Sequence, residues 1–505
     1  MHHYDVVIVG AGISGIGAAC HLRERCPDKS FVVLEGREAI GGTWDLFRYP
    51  GIRSDSDMHT LGYSFKPWRE AKSIADGPAI RKYVRETAEE YGITERIRFR
   101  HRVVAADWSS EHACWVVAAE QGEDGERVMF HCNFLFMCGG YYSYDKGHDP
   151  EFEGVADFCG QVVHPQFWPE DLDYAGKRVL VIGSGATAMT LVPAMAENAA
   201  RVTMVQRSPT YVVARPDRDA IANALRRVLP ERWAYAITRW KNATLQRFFY
   251  RRSRVAPEKV RQSLLERVRR ELGEDYVEQH FTPSYNPWDQ RLCLIPNGDL
   301  FEAIKSGRVS VVTDQVARFT ERGLRLASGD ELEADIIVTA TGLELVVLSD
   351  VAVSVDGEPV RFPDTVSYKG MMFTGVPNLV QTFGYINASW TLRADLTSQF
   401  VCRLLNHMET RGVRQCTPRL RPEDRDMALK PWIDDFSAGY MRRAMSRFPR
   451  QGDRDPWRNT QDYAVEKKLI GEATFDDGAL VFSNPAAAAP AGNDALPEDH
   501  AVSAG

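Results

Sequence analysis

Asp5-Val-Val-Ile-Val-Gly10-Ala-Gly12-Ile-Ser14-Gly15, with Phe31-Val-Val-Leu-Glu35 behind it, is the stretch whose reading decides the fold. An apolar run ends in glycine, a helical pattern continues through Leu22, and a second apolar run closes at Glu35. The order is strand, helix, strand within about thirty residues. In such a unit Gly10 makes the tight turn, Gly12 lets the backbone approach a pyrophosphate, and Gly15 lets helix and strand meet closely. The helix N-terminus around Ser14 offers free N–H groups and positive potential. Glu35 stands where a carboxylate accepts hydrogen bonds from an adenosine ribose. A carboxylate there repels a 2′-phosphate, so this cradle suits FAD or NAD and not NADP. Val103, in the strand-like run after Arg102, is a candidate to meet the adenine through its backbone.

The pattern recurs at Arg178-Val-Leu-Val-Ile-Gly183, a helix to about Glu197, and Val202-Thr-Met-Val-Gln206. Gly183-Ser184-Gly185-Ala186-Thr187-Ala188 repeats the cradle with alanine in the third slot. The position of the acid now reads Gln206-Arg207-Ser208. Arg207 can pair with a 2′-phosphate and the Ser208 hydroxyl can donate to it. Cradles of opposite charge at the ribose imply two different dinucleotides, FAD in the first and NADPH in the second. The expected fold is α/β, with two Rossmann-like dinucleotide-binding domains and a helical insertion.

A chain of 505 residues exceeds one core, which predicts two or three domains. The patterns divide it into 1–145 and 331–480 as two parts of an FAD-binding domain, 146–215 with 281–330 as an NADPH-binding domain, 216–280 as the insertion, and 481–505 as a disordered tail. The tail is rich in Ala, Pro, Ser and acid and has no period. A net charge of −7 speaks against nucleic acid as a partner. Between Arg218 and Arg270 there are 15 basic and 4 acidic residues. That segment reads as a solvated helical face, as a cap over the active site, or as a peripheral contact with an anionic membrane surface. No apolar run reaches the roughly 18 residues of a spanning helix. The stretch Val6 to Ala19 lacks the Lys/Arg-rich start of a signal peptide, so the cytoplasm is the expected location. Nine scattered cysteines without C-x-x-C spacing read as reduced thiols, and no metal site is assigned.

FAD with NADPH leaves several reaction classes open. A disulfide reductase needs a cysteine pair a few residues apart on one helix, and Cys20 and Cys26 are spaced so that they do not face each other. Two longer patterns narrow the choice. Gly41-Gly42-Thr43-Trp44-Asp-Leu-Phe-Arg-Tyr49-Pro50-Gly51-Ile-Arg-Ser-Asp55 and Phe158-Cys-Gly160-Gln-Val-Val-His164-Pro-Gln-Phe-Trp168-Pro169 resemble, in order around the cradles, the two fingerprints of the type I Baeyer–Villiger monooxygenases. The resemblance continues through Trp288-Asp-Gln-Arg291-Leu-Cys and Ala340-Thr-Gly342 and covers nearly all of the chain except the tail. Residues 44–57 and Gly384-Tyr-Ile-Asn-Ala-Ser-Trp390 are similar to the branch that activates thioamide prodrugs and to relatives acting on long-chain ketones.

The resemblance implies a flavin monooxygenase acting on a small-molecule ketone, aliphatic by the branch, or on a sulfide, with O2. Reduced flavin and O2 give a peroxide at C4a. Deprotonated, it attacks a carbonyl and yields an ester or lactone; protonated, it oxidises sulfur or nitrogen. Arg291 resembles the family's active-site arginine, a cation that cannot give up its proton. Asp55 resembles the acid that orients it and lines the nicotinamide, with Asp57 a local competitor. Gly42, Thr43 and Trp44 are expected along the FAD pyrophosphate and ring edge. His164 and Trp168 read as linker packing rather than as acid or base. Gly384 to Ser389 reads as a loop opening a helix, capped by Asn387 or Ser389, with N–H groups toward the flavin carbonyl. The alternatives are a heteroatom monooxygenase and a non-catalytic flavoprotein.

Overall fold

The computed structural model describes residues 2–434 and 436–485. The opening stretch folds as strand His2–Val9, helix Ile13–Arg25 and strand Phe31–Leu34. The two strands run parallel, with Val6 opposite Phe31 and Val9 opposite Leu34. Val6, Val7 and Ile8 are fully buried because both faces of a parallel sheet are covered. Gly10 turns at φ +100°, and a Cβ there would lie 2.9 Å from the Cys138 carbonyl oxygen. A Cβ on Gly15 would come within 1.8 Å of the Gly10 carbonyl oxygen, so the helix rests directly on the turn. The second unit is strand Arg178–Ile182, helix Ala186–Met195 and strand Arg201–Gln206. Its Gly183 turns at φ +134° against the Ala340 carbonyl.

The first unit sits in a nine-stranded sheet. The order is Glu358–Pro359, Ala352–Val355, His101–Ser109, Cys114–Gln121, Glu126–Met137, His2–Val9, Phe31–Leu34 and Ile97–Arg98, with Leu379–Gln381 beside the end of Glu126–Met137. The second sheet has five strands, all parallel: Val309–Thr313, Arg201–Gln206, Arg178–Ile182, Ile336–Thr339 and Gln161–Val163. Ile336–Thr339 therefore lies inside the second sheet, and the chain returns to the first only after Thr339, later than position 331. Its apolar residues Ile336, Ile337 and Val338 are buried, which suits an internal parallel strand and no linker. The two passages between the sheets, Tyr142–Gly147 and Leu343–Leu345, pair antiparallel with each other.

Helices Ala220–Val228, Glu231–Val255, Pro257–Leu272 and Glu274–His280 make up the inserted segment. Among the described residues no helix is long and apolar enough to cross a membrane. The nine cysteines are free, and all but Cys159 are buried. The disordered tail expected from 481 needs correction at its start. Leu480–Ser483 is a strand paired with Gln415–Pro418, Cys416 opposite Phe482, and it is held by apolar packing. The rest of that tail, 486–505, lies outside the described residues.

A buried carboxylate ties the insertion to the first half. Asp395, on helix Trp390–Arg411, accepts from His21 Nε2 at 3.2 Å, from Arg239 Nη2 at 3.1 Å and from the Ser64 N–H at 3.0 Å. Arg239 also donates to the carbonyls of His59, Thr60 and Gly62 at 3.0, 3.1 and 2.7 Å. Burial alone would raise the Asp395 carboxyl, but the His21 hydrogen bond and the Arg239 charge hold it below the usual range. A carboxylate depressed in the folded state stabilises fully above its unfolded value of about 3.9, and this contribution fades as pH falls through the folded value. Asp395→Ala leaves the buried Arg239 cation without its partner and should cost about 3–5 kcal/mol, read as a lower urea midpoint at pH 7. The gap between variant and wild type should narrow as the medium is acidified below pH about 4.

Candidate active site

The first cradle lines a cavity that the start of the second cradle helix also reaches, whereas Gly183, Ser184 and Gly185 lie outside its wall. Gly10, Ser14, Glu35 and Thr43 line one end, and Thr187 and Thr190 line the other. Gly12, Gly42, Trp44, Asp55, Ala186 and Arg291 also face it. Gly15 stands behind, in the contact between helix and turn. A Cβ added at Gly185 would meet nothing within 4 Å, so the space before the second helix is open. The Ser184 hydroxyl donates to the Ser208 carbonyl at 3.0 Å and so ties this turn to the end of the next strand. Arg207 and Ser208 are exposed at the rim, and Arg207 has no carboxylate partner among the described residues. Arg443, also exposed, lies near enough for the two like charges to repel. Val103 is buried in the core with Val7 and Leu34 and does not line the cavity.

Glu35 is buried, and its two oxygens are fixed by the N–H groups of Ala11 at 2.7 Å and Arg37 at 2.9 Å. Burial pushes its carboxyl above the ordinary range despite those bonds. A carboxylate has about four acceptor sites, so capacity remains for hydroxyl donors from the cavity. Next to it, Asp45 was not foreseen from sequence. It gathers Arg37 at 2.7 Å, Arg48 at 2.9 Å and Arg81 at 3.0 Å. These ion pairs pin the short helix Thr43–Leu46, and with it Thr43 and Trp44, to the first half. The segment that follows leans on the second half. A Cβ on Gly51 would lie 2.6 Å from the Ala194 Cβ, and the Tyr49 hydroxyl is hydrogen-bonded to Thr187. Burial raises that phenol to about 12, so it stays neutral.

At the centre of the cavity wall Arg291 Nη2 meets Asp55 Oδ2 at 2.7 Å. The side chains are 31% and 32% exposed, and that exposure faces the interior cavity. The Asp55 charge raises the guanidinium above its ordinary value, and burial opposes this only in part. Asp57 does not compete: it caps helix Met58–Leu61 through Thr60 N–H at 3.1 Å and accepts from Asn242 at 2.8 Å. Three phenols surround Arg291, which donates to Tyr440. Tyr141 and Tyr142 share a hydrogen bond of 2.7 Å, and burial pushes all three phenols up. Tyr141 stacks on Trp390, with centroids 5.0 Å apart, and Trp390 Nε1 donates to the Ser14 hydroxyl at 2.7 Å. Gly384 admits that indole, since a Cβ there would lie 2.4 Å from the ring. Tyr141, Tyr142 and Tyr440 were not foreseen from sequence; the pair Gly139-Gly140 just after Glu126–Met137 is a local signal that could have flagged the first two, and nothing local points to Tyr440.

The loop before helix Trp390–Arg411 differs from the expected capping. Ser389 holds the N-cap position but makes no side-chain cap; its hydroxyl meets Thr60 Oγ1 at 2.6 Å, and Asn387 donates to the Gln461 carbonyl at 2.9 Å. His164 packs where sequence placed it, over the linkers. Its Nδ1 accepts from Gln166 N–H at 3.2 Å and its Nε2 faces the Gly342 carbonyl at 3.3 Å. Burial lowers its proton affinity, and both nitrogens are occupied, so it offers no acid or base to the cavity.

A second chamber of about 440 Å³ adjoins the first. The two share Asp55, Ser56, Arg291, Leu294 and Ala388 as a common wall. Its other walls come largely from helices Glu231–Val255 and Pro257–Leu272, so the inserted segment caps it.

Comparison with known proteins accords with this geometry. Residues 3–362 match the family described as Flavin-binding monooxygenase-like. The FAD-containing monooxygenase EthA of Mycobacterium tuberculosis (strain ATCC 25618 / H37Rv) is 53% identical over 483 residues, which is 95% of this chain and 98% of that protein. A probable FAD-binding monooxygenase, AlmA, of Acinetobacter baylyi (strain ATCC 33305 / BD413 / ADP1) is 46% identical over 481 residues, 95% of this chain and 96% of that one. The fold is that of an oxidized steroid monooxygenase bound to NADP, at a TM-score of 0.77 and 23% identity, over 95% of this chain and all of that one. A family match over most of its length and a relative 53% identical over 95% of it show that this chain, with its two glycine cradles, belongs to the flavin-binding monooxygenase-like family of enzymes.

Proposed function

We propose that the protein is an FAD- and NADPH-dependent Baeyer–Villiger monooxygenase that converts ketones, aliphatic ones first, to esters or lactones. The observation that carries this reading is the Arg291–Asp55 pair, 2.7 Å apart in the wall shared by both chambers. The residues fit the two cofactors. Gly10, Gly12, Ser14 and Glu35 would hold the FAD pyrophosphate and ribose, with Gly42, Thr43 and Trp44 along its length. Gly183, Ser184, Gly185, Ala186 and Thr187 would hold the NADPH pyrophosphate, and Arg207 with Ser208 the 2′-phosphate. The open space before Gly185 and the unpaired Arg207 support that assignment. When bound, FAD relays electrons from NADPH to O2 and carries the oxygen that is transferred.

The chain's own residues set the electrostatics. Asp55 keeps the Arg291 fork in one orientation, and its charge raises still further a guanidinium that is protonated without it. A permanent cation stabilises an anion beside it without surrendering a proton to it. The same N–H groups can donate to a ketone oxygen as it gains negative charge. The three phenols stay protonated, so no proton is lost or gained by them at working pH. Trp390 and Tyr141 wall the site with aromatic surface that excludes water.

A linear ketone and a thioether offered with NADPH, read by product mass, test the reading. An ester from the ketone is expected; sulfoxide alone, with no ester from any ketone, would show a heteroatom monooxygenase instead. Arg291→Ala should keep reduction by NADPH, seen as stopped-flow bleaching, and lower ester formation by about 10²–10³-fold. Arg207→Ala should raise KM for NADPH by roughly ten-fold and leave KM for NADH near its wild-type value, because only the 2′-phosphate loses a partner.

A further inference from the structure

The second chamber carries a charge pattern that the reaction itself does not need. Arg215, Arg252, Lys259 and Arg267 all line it, and among the described residues Asp55, already paired with Arg291, is its only acid. Elsewhere in the insertion some cations meet carboxylates, Arg239 with Asp395, Lys241 with Asp219, Arg247 with Asp462, Arg254 with Asp289 and Arg270 with Glu266, and others such as Arg227, Arg232 and Arg251 are exposed to solvent; what sets the chamber cations apart is that they converge on one cavity. The four chamber cations have no carboxylate within ion-pair distance among the described residues. Arg215 instead lies over the Phe249 ring, 5.2 Å from its centroid. Burial and the neighbouring charge of Arg267 lower its proton affinity, and the more distant Asp57 carboxylate offsets this only in part. Around them the walls are apolar, with Phe248, Phe249, Val260, Leu264 and Trp288.

Arg291 and this cluster sit at separate stations along one strand pair. Val212–Arg215 pairs in parallel with Cys293–Pro296, Arg215 opposite Pro296. Arg291 precedes that strand, so five residues, at most about 17 Å of backbone, separate the two stations. A chamber with a catalytic cation at one end, apolar walls and unpaired cations farther along matches a molecule built the same way.

We propose that the substrate is a single-chain ketone ending in a carboxylate, an oxo fatty acid, whose carbonyl reaches Arg291 and whose carboxylate is held by Arg215 and Arg267 with Arg252 and Lys259 nearby. This rests on the ketone reading above and names its substrate class. The carbonyl and carboxylate must be separated by a methylene chain, so 2-oxo acids fit badly. Arginine is suited to the carboxylate because its planar fork can donate two parallel N–H bonds.

Isothermal titration of the FAD-loaded enzyme with a mid-chain oxo fatty acid, its methyl ester and a plain ketone of equal length tests the claim below the micelle threshold. The acid should bind about ten-fold more tightly than the ester, the difference of one charge-assisted contact, and the advantage should shrink with added salt. In the Arg215→Gln/Arg267→Gln double variant the acid and the ester should bind alike. Arg267→Glu should turn the preference around, so that a long-chain oxo amine outbinds the oxo acid. Equal binding of acid and ester by the wild type, or a preference that survives both variants, overturns the proposal. Product mass from the same ligands separates it from the ketone reading: tight acid binding without ester formation from any ketone sinks the reaction assignment and keeps the anion site, whereas oxygenation with ester preferred over acid sinks the site and keeps the reaction.

Discussion

Arg291 and Asp55 form an ion pair in a cavity wall that covers about two-thirds of each side chain, so each charge gives up part of its hydration and the pair needs good geometry to recover it. Such a pair persists only where the surrounding structure over-determines it. Asp55 is delivered from the first half by a segment that starts at the Asp45 cluster and ends against Ala194 of the second cradle helix. Arg291 is delivered by the run into strand Cys293–Pro296, which is bound to Val212–Arg215. Neither half alone builds the site. The two sheets, the paired linkers and the insertion together bring these two side chains to 2.7 Å.

The two cradles show how one local geometry serves two ends. Both use a glycine at positive φ to let the chain turn under a following helix. They differ where a ribose would lie: Glu35 is buried and fixed by two N–H groups, whereas Arg207 is exposed and unpaired. A buried acid suits a cofactor that stays, and an exposed cation suits one that comes and goes. A third element of charge is four cations, without carboxylate partners among the described residues, around a chamber that shares its wall with the Arg291–Asp55 pair.

The cradles were legible in sequence because their geometry is local: each depends on residues within about thirty positions of one another. The strands and helices of both units fall within a few residues of the positions their apolar periods predict. Arg291 and Asp55 lie far apart in sequence, and no spacing rule joins them; only the resemblance in their flanking residues did. Asp45 was passed over because its three arginines come from separate stretches of chain. Tyr440 and Trp390 approach the site from the far end of the chain, where packing alone decides neighbours. The return to the first sheet was placed too early because an apolar run such as Ile336–Val338 does not say which of two sheets it joins. Residues 481–483 were assigned to the tail because a short strand beside an Ala/Pro-rich stretch has too few residues to show a period.

The central claim is that a guanidinium oriented by Asp55 decides whether oxygen reaches carbon. The fate of labelled oxygen tests it most directly. With 18O2, NADPH and a ketone, the wild type should place one labelled atom in each ester formed and release little hydrogen peroxide. Arg291→Met should still consume NADPH and O2 but return the label as hydrogen peroxide. Labelled ester from Arg291→Met at the wild-type yield per NADPH would contradict the account.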